Sequence, residues 1–411
     1  MSTEPLGAPR PLPQRPHLRH LKDQAKDLLK AGAAASLADA QFQVARLYGF
    51  PSWPRLKAHV ESLAEVGQLK QAIDANDFIR IQALMTRSPA LHSAPLGYGG
   101  DGPLTWVAEC RVPWEPPGPA RLAIAEWMIA RGSDVHQGGD GPLMRAALNG
   151  DRIPMMELLV ARGADVNALW HGHFPIIFAP CESMDSASLR WLLAHGADPN
   201  LRDPRQTAAG RPCLGTALDY LIGSYARSLP RLSACIDVLL QAGGQTRYCA
   251  PAVLAVLRDR PGDLAEQLDA QPGLLNQRFP ELDCGQTGGR NLMLQGATLL
   301  HVAAEYGNAP AVALLLQRGA DVNARAAIDE TGVGGQTAIF HAVTQFDDYG
   351  LPAAQILLER GADLTVRVRL PGDYEHPGEI VECTPLGYAL RFGGDSQRET
   401  VALLRKSGAV E

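Results

Sequence analysis

The sequence is poor in the features that catalytic, secreted and membrane chains rely on. It has no run of about 18 apolar residues, and its first residues show neither an apolar leader nor a cleavage signature, so neither a membrane span nor a signal peptide is expected. Its seven cysteines form no CxxC pair and are odd in number, which argues against a disulfide framework and for reduced thiols in a cytoplasmic setting. Aromatic residues are only 6% of a chain whose hydrophobic content is 46%, so the apolar surface is mostly Ala and Leu, suited to thin interfaces. Walker, HExxH and GxSxG patterns are absent. The one GxGxxG match, GYGGDG from Gly97 to Gly102, follows no convincing strand and reads as a turn. With a net charge of -6 the chain lacks the basic surplus of a nucleic-acid protein.

What the chain has instead is repetition. The stretch from Gly296 to Asn323, GATLLHVAAEYGNAPAVALLLQRGADVN, divides into helix, turn, helix and reversal. Thr298 caps a first helix that Gly307 ends. Pro310 suits the opening turn of a second helix, Val312, Leu315 and Leu316 share one face, and Gly319 supplies the left-handed residue of a C-terminal cap. Neither helix is long enough to be stable alone, so the unit needs copies of itself. Similar helix ends recur at Gly132, Gly163, Gly196, Gly243, Gly319, Gly361 and Gly408, spaced by 31, 33, 47, 76, 42 and 47 residues. The longest interval reads as two units of about 38 residues with one degenerate member.

TLLHVAA at 298–304 followed by GADVN, GPLMRAALNG at 141–150 and TPLGYAL at 384–390 resemble the ankyrin repeat, with its TPLHxAA phrase. The resemblance implies an all-α solenoid of about eight or nine helix-turn-helix units with projecting finger hairpins, spanning 67–411. It also gives His301 a structural role, tying one hairpin to the next. His341, one place later in its own unit, is expected on the exposed side of its helix.

Ahead of the repeats, residues 1–16 contain five prolines and read as a disordered lead-in. Residues 17–66 form a helical module: a basic helix from His17 to Lys30, a second opened by Ser36 with Asp39, and a third opened by Ser52 and Pro54. ADAQFQVARLYGFPSWPRLKAHVE at 38–61 resembles a helical segment found ahead of ankyrin repeats in some bacterial proteins. At the other end, Ser396 with Glu399 opens the last helix. A repeat unit is expected from Leu214 to Thr246.

Function follows from the departures from regularity. The segments 200–214, 278–296, 324–336 and 366–383 are long, and in an ankyrin stack they lie on the finger edge, an elaborated binding rim. Partner contacts in the family come from finger tips and the ends of first helices, on the concave face. Mapped here, the resemblance points to Asp101, Asp140, Asn149, Trp170, His173, Glu182, Glu305, Tyr306, Asp329, Gln336, Gln345, Arg391 and Phe392. Their mixed chemistry suits another protein or a peptide rather than a nucleic acid or a membrane. The reading is therefore a non-catalytic, monomeric scaffold for protein–protein interaction without a cofactor. The alternative is a metal-dependent enzyme on the finger rim, in which His171 and His173 share a metal with Asp203 or Cys181.

Overall fold

The glycines that recur along the sequence are where second helices stop. Gly132, Gly163, Gly196, Gly243, Gly319, Gly361 and Gly408 all have left-handed backbone, with φ between 82° and 106°. In this conformation a side chain is strained and glycine is not, so each residue terminates its helix on conformational grounds.

The computed structural model describes residues 9–13, 16–205, 215–285, 290–373, 376, 378–393 and 398–411. Ser396, Leu214 and most of the lead-in at 1–16 lie outside the described residues. The described residues form two units, Met1–Gln137 and Gly138–Glu411.

The first unit contains α1 (Leu18–Lys30), α2 (Leu37–Leu47), α3 (Trp53–Asp74), α4 (Phe78–Arg87), α5 (Pro103–Glu109) and α6 (Pro119–Ala130). The Ser36 hydroxyl accepts the Asp39 N–H at 3.1 Å, and the Asp39 carboxylate accepts the Ala35 N–H at 2.9 Å, which together fix the start of α2. Leu21, Val44, Leu56 and Val60 close a small apolar core among α1, α2 and α3. The third helix runs for 22 residues, straight through position 66/67 where the sequence suggests a boundary. No proline or cap interrupts it there, and Gly67 alone disfavours a helix interior by only about 1 kcal/mol. The far end of α3 packs on α4 and α5, so one helix serves both the N-terminal module and the first helix pair.

In the second unit the helices come in pairs: α7 (Gln137–Leu148), which begins on the last residue of the first unit and passes through left-handed backbone at 138–140, with α8 (Ile153–Ala161), α9 (Phe178–Glu182) with α10 (Ser186–Ala194), and α11 (Ala217–Gly223) with α12 (Leu229–Gln241). They continue as α13 (Pro251–Leu257) with α14 (Pro261–Ala270), α15 (Leu299–Glu305) with α16 (Ala309–Gln317), α17 (Ala338–Ala342) with α18 (Leu351–Glu359), and α19 (Pro385–Phe392) with α20 (Arg398–Lys406). First helices pack in one row, α13 on α15 on α17 on α19, and second helices in another, α14 on α16 on α18 on α20. Ala303 and Ala304 are fully buried in the first row, where small side chains let helices approach closely. Asp348, in the turn between α17 and α18, accepts the N–H groups of Glu399 at 3.1 Å and Thr400 at 2.9 Å and so caps α20.

At three junctions one asparagine side chain joins a unit to the next. Asn323 donates to the Gly361 carbonyl at 3.2 Å and accepts the Asp363 N–H at 2.8 Å. Asn167 does the same across Gly196 and Asp198, and Asn200 across Gly243 and Gln245. His301 sits between fingers as expected: its Nδ1 accepts the Thr298 N–H at 3.3 Å and its Nε2 lies 3.0 Å from the Gln336 carbonyl. Burial holds this imidazole neutral, pushing its pKa down to about 3.

Candidate partner-binding surface

The end of α15 is closed off by the chain's own arginines. Glu305, the last residue of α15, has no exposed side-chain surface. Arg227, from the turn ahead of α12, meets one carboxylate oxygen at 2.7 Å, and Arg290, from the finger ahead of α15, meets the other at 2.8 Å. His341, in α17, is 2.7 Å from the second oxygen and fully buried, which corrects the expectation that it faces solvent. The reason is geometric: a short first helix of five residues lies between two neighbours, leaving it no free side. Burial opposes the charge of Glu305, but Arg290 and Arg227 outweigh it, and the carboxyl pKa falls to about 2. Tyr306 is buried beside it, with the Arg227 guanidinium 4.8 Å from its ring centre and its hydroxyl donating to the Ile222 carbonyl at 2.6 Å. Gln345 is buried as well, its amide donating to the His341 carbonyl at 2.8 Å.

The fingers ahead of α15, α17 and α19 are joined edge to edge. Phe279 pairs with Ala297 across the first finger, Ala327 donates to the Gly296 carbonyl at 3.0 Å, and Gly334 donates to the Arg369 carbonyl at 2.8 Å. The third finger is a hairpin of β3 (Val368–Pro371) and β4 (Ile380–Cys383), paired antiparallel with Leu370 opposite Val381. Between these fingers lies a cleft of about 410 Å³, lined by Leu292, Met293, Ile328, Asp329, Gln336 and Leu370 among others. Two of the residues picked from the sequence, Asp329 and Gln336, meet here. Asp329 is exposed, and its Oδ1 accepts the N–H groups of Thr331 at 2.8 Å and Val333 at 2.9 Å, with the Thr331 hydroxyl at 2.7 Å. Those bonds hold the carboxyl below the usual range. Gln336 is 4% exposed; its Nε2 donates to the Met293 carbonyl at 3.0 Å, while its Oε1 has no partner.

The other candidates are dispersed. Asp101 and Asp140 are buried, and Asp140 Oδ1 accepts the Asp165 N–H at 2.9 Å. Asn149 donates to the Arg145 carbonyl at 2.9 Å and is half-buried. Glu182 accepts the hydroxyls of Tyr220 at 2.9 Å and Tyr225 at 3.3 Å. Arg391 is exposed, pairs with Glu379, and lies 5.5 Å from the ring of half-buried Phe392. Trp170 closes β1 (Leu169–Trp170), which pairs with β2 (Phe174–Pro175). His171 packs edge-on to Trp170 with ring centres 4.5 Å apart, and His173 Nδ1 lies 3.0 Å from the His171 carbonyl. Asp203 is bound bidentately by Arg205, and although burial opposes its charge, those hydrogen bonds hold its carboxyl below the usual range. Among the described residues no three His, Cys, Asp or Glu side chains gather as a metal-binding group, and the ring centres of His171 and His173 lie 4.5 and 6.4 Å from that of Trp170.

Models of known families match two parts of the chain: an ankyrin repeat at 138–170 and ankyrin repeats in three copies at 261–368. No curated protein matches the chain. Solved structures do, among them the human ASB11 ankyrin repeat domain, at 20% identity over 64% of this chain and 99% of that one, with a TM-score of 0.35. The fold is thus the ankyrin-repeat fold, mostly helical, with further helices at the N-terminal end. Ankyrin repeats are in general modules of protein–protein interaction. No helix among the described residues is long and apolar enough to cross a membrane.

Proposed function

We propose that the chain is a non-catalytic, cytoplasmic ankyrin-repeat scaffold that acts as a monomer and binds another protein or an extended peptide through its finger loops. The observation that carries this reading is the joining of three consecutive fingers into one hydrogen-bonded platform around a cleft. A platform braced in this way keeps its shape before the partner arrives, so less ordering entropy opposes association. The ends of the first helices at Glu305, Tyr306 and Gln345 are already occupied by the chain's own side chains, which shifts the partner-facing role to Asp329, His173 and Arg391. Cysteine usage fits a reducing compartment: the six cysteines among the described residues are all free thiols.

The test is capture from a lysate of the source organism with the intact chain and with a folded variant carrying His173→Ala, Asp329→Lys and Arg391→Glu. A protein held by the intact chain and released by the variant, then reproduced with purified components, supports the scaffold. Retention of nothing, or equal retention by both, overturns it.

A further inference from the structure

We propose that the cleft between the three fingers receives a partner segment in which a large apolar residue stands next to Lys or Arg. This rests on the scaffold reading above and specifies its partner.

The walls are apolar: Leu292 and Leu370 are buried at the base, and Ile328 stands 57% exposed at the rim. A cleft of about 410 Å³ lies within the size range of specific ligand sites. The amides of Gly296, Ala327 and Gly334 are spent on hydrogen bonds within and between the fingers, and Pro280 and Pro371 have none. Two acceptors stand out: the buried Gln336 Oε1, without a partner among the described residues, and the Asp329 carboxylate, whose hydrogen bonds there all fall on Oδ1 and which is the one charged group lining the cleft among those residues. A buried acceptor favours an occupant that brings a donor, and Asp329, although Arg369 of the third finger already acts on it, keeps Oδ2 exposed beside an apolar wall and open to a second cation. An apolar side chain followed by Lys or Arg meets both demands, whereas an apolar side chain followed by Asp or Glu sets like charges together at Asp329.

The experiment uses the full chain against an array of capped hexapeptides whose two central positions scan all residue types. Spots pairing a large apolar residue with Lys or Arg are expected to retain the chain, and those pairing it with Asp or Glu are not. Asp329→Asn keeps the turn acceptor and removes the charge, so it is expected to weaken the selected peptides about two- to fivefold and erase the basic preference. Ile328→Lys, at an exposed position that the fold tolerates, is expected to weaken them about tenfold or more. Enrichment of acidic spots, a pattern unchanged in both variants, or no enriched spot overturns the assignment. If the lysate partner is lost from the triple variant while the array shows nothing, the cleft assignment falls and the scaffold stands. If the array responds as expected while no partner is captured, the cleft assignment and peptide binding stand, and binding of a whole folded protein is what falls.

Discussion

His341 Nδ1 stands 2.7 Å from the Glu305 carboxylate with both side chains fully buried, so the imidazole spends its one hydrogen there and its Nε2 is left without a partner. The pair is one part of a four-residue cluster that also takes in Arg227 and Arg290.

Removing the anion from that cluster strands two buried cations. Glu305→Gln, which keeps the shape, is expected to destabilise the chain by about 3 to 5 kcal/mol. Urea unfolding followed by circular dichroism measures it, and a loss below about 1 kcal/mol would show that the arginines are stabilised by other contacts.

Acid should act first on buried histidines, His301 together with His341, whose pKa burial also lowers, and then on Glu305. His301 binds its proton at about pH 3 when folded and near 6.5 when unfolded, so as the pH falls below 6.5 the unfolded chain gains the proton first and stability drops. Glu305, held at about 2 against an ordinary value of 4.5, contributes stability that is present above 4.5 and lost as the pH falls toward 2. Both act between 4.5 and 3, where the decline is steepest, on the order of 1 kcal/mol per pH unit for each group. Unfolding midpoints at about pH 7, 5.5, 4.5, 4 and 3 test this, and Glu305→Gln should flatten the curve below about pH 4.5.

The asparagine that joins neighbouring units can be probed at Asn323. Asn323→Ala loses its bonds to Gly361 and Asp363 and is expected to cost about 1 to 3 kcal/mol. Amide exchange at Asp363 should quicken in step, and an unchanged rate would mean that the bond is not protecting that amide.

Two left-handed glycines should respond differently to alanine. At Gly319 a new Cβ meets nothing within 4 Å, so Gly319→Ala carries only the backbone penalty of about 1 to 2 kcal/mol. At Gly307 the Cβ falls 2.5 Å from the Tyr349 ring, whose hydroxyl accepts the Leu229 N–H at 2.6 Å, so the alanine also disturbs that contact. Thermal melts of the two variants should rank Gly307→Ala well below Gly319→Ala.

The local grammar of the fold was legible because it rests on short-range chemistry. A glycine three residues past a pair of leucines, a proline in a first helical turn and a serine three residues before an aspartate each act within one turn of helix. The partners of Glu305 were not legible in this way, since Arg290 is 15 residues away and Arg227 is 78, and both reach it only because of how a finger and a turn fold back. The unbroken α3 was missed for a milder reason: Gly67 weakens a helix without stopping it. Asp329 and Gln336 could be picked out singly as finger residues, but their meeting in one cleft depends on three fingers hydrogen-bonding together.

The joints made by Asn167, Asn200 and Asn323 have one further consequence. Each presents the same side chain to the same turn, a left-handed glycine and a backbone amide two residues on, so the connectors are interchangeable. A unit lifted out between two such joints leaves ends that still fit, and an added copy finds both its sockets ready. Length in this chain is therefore a property that gene duplication can adjust in whole steps. The pair α13 and α14 has no such glycine at its end, passing instead through Gln271 into a turn at Pro272–Leu275, and it interrupts that freedom.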